Sequence, residues 1–388
     1  MRIGMMADFY TPYISGVTHY IQLTKNILTE MGHEVFVFTF GVRGYHETDP
    51  WVIRSPGLSI RNTGYSFGLR YTREAKILVK TMDVIHVHHP FLSGQLAIRY
   101  GKPSHIPIVF TSHTRYDLYS KIYLPILFPS VSEEVLKTYL ELFCNRVDQV
   151  ISPSAGMALV LRDLHVDVPV HVIPNGIDVD RFKIINPLIS RDQLGFSHNH
   201  ILLIYHGRVA REKNIPFLLQ AFCEVIKIVP TLRLLIIGGG DSQREIQDLV
   251  VELSLKDQVK IMGQISYSDI PSYLHLADIF VSPSTSEVHP LSVIEAMAAG
   301  LPVVGIVSPG ISDTVINDVT GYLADNELRS FSQAILRLTV DSEKRNQMKT
   351  SALKLVEKYS IRRTTQELID TYKEVISRTI LEEGIKPT

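Results

Sequence analysis

Cysteine is nearly absent from this chain: Cys144 and Cys223 are the only two in 388 residues, far apart and with no His or Cys at metal-finger spacing. That excludes a disulfide framework and suits a reducing compartment with buried free thiols. An excess of charge is missing as well. Lys plus Arg number 39 and Asp plus Glu 40, so no global basic surplus points to nucleic acid, and any attraction to an anionic surface must be local. Long apolar runs are also lacking, since nothing approaches the roughly 18 residues of a membrane helix. The opening "MRIGMMADFY" meets an acid at Asp8, too early for the apolar core of a signal peptide. The expectation is a cytoplasmic protein.

What is present is ordinary for a globular enzyme, with 45% hydrophobic and 20% charged residues arguing against a fibre or a disordered chain. The length exceeds one ordinary core, because domains typically hold about 100 to 200 residues. Short Val- and Ile-rich runs that end at Gly, Ser or Asn alternate with segments of helical period, the pattern of parallel sheets covered by helices. Strands are predicted at "RIGMMAD", "EVFVFTF", "DVIHVHH", "IPIVFTSH", "QVISPS" and "VHVIPNG", then at "ILLIYHG", "LRLLIIGGG", "QVKIMGQ", "ADIFVSPS" and "PVVGIVS". Between them, Phe217, Leu218, Ala221, Phe222, Val225 and Val229 mark one face of a helix closed by Pro230. Periodicity lapses between Asp178 and His200. The chain therefore reads as two doubly wound α/β halves, with domains over 1–180 and 190–360 and a helical segment over 361–388 packing back toward the first. In such sheets ligands sit at the carboxyl ends of the strands, so strand-end residues of both halves are the candidates for one site.

Arg208 and Lys213 stand in the connection after "ILLIYHG". Two fixed cations there can hold a diphosphate and stabilise charge growing on a leaving group, although a solvated loop is an equal alternative. After "ADIFVSPS" comes "TSEVHPLSVIEAMAAG", a helix from about Pro290 to Ala299 with Gly300 past its end. Backbone N–H groups around Leu291 and Ser292 are free for a phosphate or sugar hydroxyls. Glu295 can accept from a ribose diol and Glu287 can face a transferred group; the plainer alternatives are a solvated side chain and a helix-entry charge. "GGGD" at Gly238 to Asp241 reads as a tight turn with a helix cap at Asp241 or Ser242, since it lacks both the lysine of a P-loop and the spacing of a dinucleotide loop. Gly16 sits between strand and helix, where a backbone can approach a ligand, or where a plain turn needs it. His86, His88 and His89 cluster at a strand end without carboxylates at ligand spacing, so no metal site is expected. His113 ends another strand and is better placed for a polar role near a reacting centre.

The ordered set "DFYTPYISGVTHYIQLTKNILTEMGHEVFVFT", "VIHVHHP", "TSHT", "ISPS", "VIPNGIDVDRF", "HGRVAREKN", "LLIIGGGD", "ADIFVSPSTSE", "IEAMAAGLPVV" and "TGYL" resembles the retaining glycosyltransferases of family 4 along nearly the whole chain. That family has the GT-B fold, two facing Rossmann-like domains with parallel sheets and an interdomain cleft. Its pattern of Glu, seven residues, Glu is matched by Glu287 and Glu295. The resemblance implies that Glu287 contacts the donor sugar, Glu295 the ribose, and Arg208 with Lys213 the donor diphosphate. It further implies that Gly16 approaches the donor phosphates and that His113 lies beside the transferred sugar. The chemistry implied is transfer of a hexose, glucose-like by preference, from a nucleoside-diphosphate sugar with retention at the anomeric carbon. No cofactor or metal is required by it. The family usually has Gly-Phe-Gly or Gly-Phe-Pro where this chain has Val288, His289 and Pro290, a loop that normally touches sugar hydroxyls, and Asp313 stands where Glu is common.

"HTRYDLYSKIYLP", with Arg115, Tyr116, Tyr119 and Tyr123, is similar to the corresponding segment of bacterial diacylglycerol glucosyltransferases, which implies a lipid acceptor. Arg61, Arg70, Arg73, Lys76 and Lys80 face a single glutamate in "RNTGYSFGLRYTREAKILVK". Basic and apolar groups together can hold the first domain on anionic lipid as a peripheral contact, and a charged surface helix is the alternative. The rival functions are transfer to a polysaccharide precursor or small metabolite, a nucleotide-sugar epimerase or hydrolase of the same fold, and a sugar-nucleotide binding subunit without activity.

Overall fold

The computed structural model describes residues 1–13, 15–41, 44–59, 66–68, 70–116, 118, 133–185 and 188–382, without the side chains of 58, 59, 66 and 67. The chain divides into two compact units, Met1–Gly176 with Ile361–Thr388, and Ile177–Ser360.

The first unit is built on seven parallel strands. In chain order the elements are β1 (Arg2–Met6), β2 (Glu34–Phe40), β3 (Val52–Ser55), a two-stranded ribbon of β4 (Leu58–Ser59) and β5 (Ser66–Phe67), then β6 (Val84–Val87), β7 (Ile108–Thr111), β8 (Gln149–Ser152) and β9 (Val170–Val172). Their order in the sheet is β3-β2-β1-β6-β7-β8-β9. The direction of winding reverses between β1 and β6, which opens a crevice at the carboxyl ends of these two strands. Strands covered on both faces are mostly apolar, and β6 and β7 are buried at every position, their polar members His86 and Thr111 being hydrogen-bonded to each other. The helix Ile361–Glu382 belongs to this unit, and Leu368, Ile369, Tyr372 and Val375 enter its core. Burying a side chain of this size contributes roughly 1.5–3 kcal/mol, enough for four of them to fix a terminal helix.

The second unit repeats the plan with β10 (Ile201–His206), β11 (Leu232–Ile237), β12 (Val259–Gly263), β13 (Ile279–Ser282), β14 (Val303–Ile306) and β15 (Gly321–Ala324). The order is β12-β11-β10-β13-β14-β15, again all parallel, with the reversal between β10 and β13. The helix Ile215–Ile226 buries Leu218, Ala221, Phe222 and Val225 of the predicted stripe, but it ends before Val229. The helix after β13 spans Leu291–Ala298; Pro290 is its N-cap rather than its first turn, and Gly300 takes φ of +83°, as a residue past a helix end does. The predicted doubly wound α/β class is therefore what the chain forms. Three features escaped the sequence pattern, namely β3, β15 and the ribbon.

Candidate active site

At the carboxyl edge of the second sheet, two strand-end loops cross in backbone contact. The Gly207 N–H donates to the Ile237 carbonyl at 3.0 Å, Val209 N–H to Gly239 at 2.9 Å, and Ser242 N–H to Val209 at 3.1 Å. A Cβ on Gly238 would lie 1.8 Å from the Gly207 carbonyl oxygen, and one on Gly240 2.3 Å from that of Val209. This crossing accounts for two glycines of "GGGD", at φ of +139° and +154°. Ser242 occupies the N-cap of the next helix without a side-chain bond to it.

The crossing carries Arg208 and Lys213 to the switch point between β10 and β13. Lys213 ends a short 3-10 turn, Arg211–Lys213, and its Nζ lies 2.6 Å from Glu287 Oε1 on the loop after β13. Both side chains are largely sheltered, 19% and 14% exposed, so their attraction is less screened than at an open surface. Arg208 donates to the Glu212 carboxylate, which is fully buried while the guanidinium stays 40% exposed. Each cation is thus seated against a carboxylate. A diphosphate arriving here meets positive groups already oriented, which is the arrangement that stabilises a developing anion without reorganisation.

The Glu287 loop is fixed from behind. Its carbonyl accepts from the Gly310 N–H at 2.9 Å, and a Cβ on Gly310 would lie 2.3 Å from the Val288 carbonyl. Val288 and His289, expected to face the donor, are buried at 5% and 6% exposure. The His289 ring packs edge-on to Tyr359 with centroids 5.1 Å apart, and burial pushes its pKa down to about 3, so it is neutral. The imidazole that replaces the family's phenyl ring is accordingly a packing group, and this stretch offers a ligand its backbone and Glu287. Behind Pro290, Val293 and Ile294 N–H groups turn back to the Pro290 carbonyl at 3.2 and 3.3 Å. No described hydrogen bond uses the N–H of Leu291 or Ser292, consistent with the orphan donors of a helix start.

Glu295 is not on a solvated face. It is 2% exposed, accepts from the Tyr267 hydroxyl at 2.8 Å, and has His206 Nδ1 3.4 Å from its other oxygen. Burial raises its pKa to about 7, opposed by the Tyr267 bond and by the charge of Arg181, whose guanidinium lies 4.7 Å from the Tyr267 ring centre. A carboxyl so placed can change protonation near neutrality. Sequence reasoning missed Glu212, Tyr267 and His206. Glu212 had a visible signal, four residues beyond Arg208; Tyr267 reaches Glu295 across 28 residues with no local cue.

In the first unit, Gly16 opens the helix Gly16–Glu30 after an N-cap at Ser15, with Ser15 and Thr18 capping reciprocally. A Cβ there would meet nothing within 4 Å, so packing does not demand glycine. His113 follows β7, and its Nε2 lies 3.0 Å from His88 Nδ1; burial holds both rings well below the usual histidine range. His86 is engaged at both nitrogens, by the Tyr372 hydroxyl and Thr111 Oγ, each at 2.6 Å. Among the described residues no cluster of three His, Cys, Asp or Glu is arranged to hold a metal ion. Arg115 is partly buried, and Tyr116 packs edge-on to Phe91 at 5.3 Å. Tyr119, Tyr123 and Arg61 lie outside the described residues. On the helix Arg73–Val79, Ala75 and Val79 face the core while Arg73 and Ile77 are exposed, as are Arg70 before the helix and Lys80 at its C-cap. No described helix is long and apolar enough to cross a membrane.

Comparison with known proteins completes the picture. Residues 14–181 match the family described as Glycosyltransferase Family 4, and residues 188–355 that described as Glycosyl transferases group 1. The alpha-monoglucosyldiacylglycerol synthase of Streptococcus pneumoniae is 30% identical over 365 residues, covering 89% of this chain and 80% of that protein. The enzyme of the same name from Acholeplasma laidlawii is 30% identical over 321 residues, 78% of this chain and 80% of its own length. Among solved structures, sucrose-phosphate synthase from Thermosynechococcus elongatus superposes with a TM-score of 0.80 at 23% identity, covering 97% of this chain and 99% of that one. Anabaena HepE in complex with UDP-glucose gives 0.75 at 18% identity, with coverage of 96% and 100%. These likenesses establish the GT-B fold.

Proposed function

We propose, because this chain belongs to the family 4 glycosyltransferases and acts on a nucleotide sugar, that it moves a glucose-like hexose to a membrane lipid such as diacylglycerol with retention of configuration. Kinship supports the acceptor: both relatives that share 30% of their residues over four-fifths of their length are named for a glucosylated diacylglycerol. The observation that carries the chemistry is the Lys213 ammonium, set 2.6 Å from Glu287 at the switch point of the second sheet, with Arg208 on the same connection after β10.

In this reading Arg208 and Lys213 hold the donor diphosphate, Glu295 accepts from the ribose diol, and Glu287 meets hydroxyls of the sugar. The N–H groups of Leu291 and Ser292 and the backbone of Val288, His289 and Pro290 complete the donor subsite. Of the first unit's residues, Gly16 is assigned to the donor phosphates and His113 to the transferred sugar. The bond between the anomeric carbon and the phosphate oxygen breaks as charge builds on the diphosphate, where the two cations stabilise it. The acceptor hydroxyl attacks from the same face, its oxygen bonds to the anomeric carbon, and its proton passes to the departing phosphate oxygen. The cations take the part a divalent ion plays elsewhere, so the reaction proceeds without metal or cofactor.

Arg115 and Tyr116, with Tyr119 and Tyr123, receive the acceptor. The exposed Arg70, Arg73, Lys80 and Ile77 supply basic and apolar groups of the kind that rest on anionic lipid, giving a peripheral membrane enzyme. Incubation with a panel of labelled nucleotide sugars and a cell lipid extract tests the reading. A labelled glycolipid is expected. Label recovered only in a polysaccharide precursor or small metabolite would move the acceptor, and label released as free or isomerised sugar would indicate a hydrolase or epimerase.

A further inference from the structure

The histidine cluster of the first unit contains a bond that the proposed transfer does not require. His88 is fully buried, and its Nδ1 meets His113 Nε2 at 3.0 Å with the two ring planes 22° apart. His88 Nε2 is buried and has no hydrogen-bond partner among the described residues. The adjacent His86 cannot supply one, because its own nitrogens are taken by Tyr372 and Thr111. Burial and the neighbouring imidazoles keep His88 and His113 neutral, so one proton is shared across the contact.

Two arrangements satisfy that contact. If His113 donated from Nε2, the proton of His88 would sit on its Nε2 as a buried N–H with no acceptor, a state costing about 1–3 kcal/mol and seldom seen. If His88 donates from Nδ1, only a lone pair is left unmatched, which proteins tolerate more often. His89 carries its proton on Nε2, because the Asp8 N–H donates to its Nδ1 at 3.2 Å; that Nε2 is itself buried without a described partner, so a second such N–H on His88 would add its own cost within one cluster.

We infer that His88 is a positioning residue: it donates Nδ1–H to His113 Nε2 and thereby holds His113 in the tautomer protonated on Nδ1, which offers a hydroxyl oxygen of the transferred sugar a donor rather than an acceptor. The use of that donor rests on the proposed role of His113; the tautomer itself does not. An imidazole that can rotate its proton between two nitrogens spends part of its time in the wrong state, and the buried partner removes that freedom.

The test is long-range proton–nitrogen NMR on histidine-labelled enzyme, with the His113 signals identified by their loss in His113→Ala. Protonation of His113 at Nδ1 between pH 6 and 8 is expected; protonation at Nε2 overturns the inference. His88→Asn, which keeps an N–H near the position of Nδ1, should preserve the tautomer and stay within about threefold of the wild-type kcat. His88→Leu should populate both tautomers and lose about tenfold or more in kcat, the loss of one hydrogen bond's worth of orientation. Equal turnover of the Leu and wild-type enzymes overturns the positioning role, and if the Leu variant fails to fold, the wild-type spectrum and the Asn variant still decide. A His113→Ala enzyme with undiminished transfer would remove the role of His113 beside the sugar while leaving the tautomer intact, so the two failures are distinct.

Discussion

Replacing Glu295 by Gln should abolish the pH dependence that this residue imposes on the second unit. Burial raises the Glu295 carboxyl from an ordinary 4.5 to about 7, so the folded state favours its protonated form. A carboxyl with a raised folded pKa contributes its full stabilisation below the unfolded value and loses it as pH rises through the folded one. At about 1.4 kcal/mol per unit, the window from pH 5 to 8.5 spans roughly 2–3 kcal/mol of stability lost by the wild type. Because Glu295 is 2% exposed, solvent screening takes little from that figure. Gln keeps an oxygen for the Tyr267 hydroxyl but carries no charge, so its own profile should be flat over this window apart from slopes common to both proteins. Urea unfolding of both at pH 5 and 8.5 reads the difference directly. In the donor assay the same change removes one acceptor for the ribose diol, and the KM for the nucleotide sugar should rise about tenfold. The wild-type KM should fall between pH 6 and 8 as the carboxylate forms. Parallel stability profiles for the two proteins would refute the reasoning, whatever their absolute stabilities.

Lys213→Ala should lower kcat by at least about a hundredfold, the scale for losing a preorganised charge at a developing anion, and near-normal turnover would remove its assigned role. Activity should survive a strong chelator; abolition restored by one divalent ion would contradict the metal-free chemistry. Gly310→Ala should push on the Val288 carbonyl, since its Cβ would lie 2.3 Å away. The expected result is about 1–3 kcal/mol of lost stability and a raised donor KM, measured by thermal melting and initial rates, and an unchanged KM would show that the Glu287 loop is not held from behind.

The sheets were legible because strands covered on both faces are mostly apolar runs, as β6, β7 and β13 are, each buried at every position and each with a single polar residue, His86, Thr111 and Ser282. The missed strands break that rule for physical reasons. β3 and β15 are four-residue edge strands, β3 carrying the partly buried Arg54 and β15 beginning with glycine, and the ribbon strands are two residues each. Edges need neither length nor continuous apolarity. At the site, Arg208, Lys213 and Glu287 announced themselves by standing just past apolar runs. What the sequence pattern could not express was the pairing. That Glu287 faces Lys213 across 74 residues, and that His206 reaches Glu295, follows from β10 and β13 lying side by side, whereas Tyr267 reaches Glu295 from the connection after β12. Val288 and His289 were read as facing the donor because they replace residues of a family loop, and the structure turns them inward because Gly310 and Tyr359 pack there.

The most direct measurement is the anomeric configuration of the product. UDP-glucose is supplied with diacylglycerol in anionic vesicles, and the glycolipid formed is examined by proton NMR. A glucosyl diacylglycerol with the anomeric configuration of the donor is the predicted result; an inverted linkage, or glucose released without any lipid product, would contradict the account.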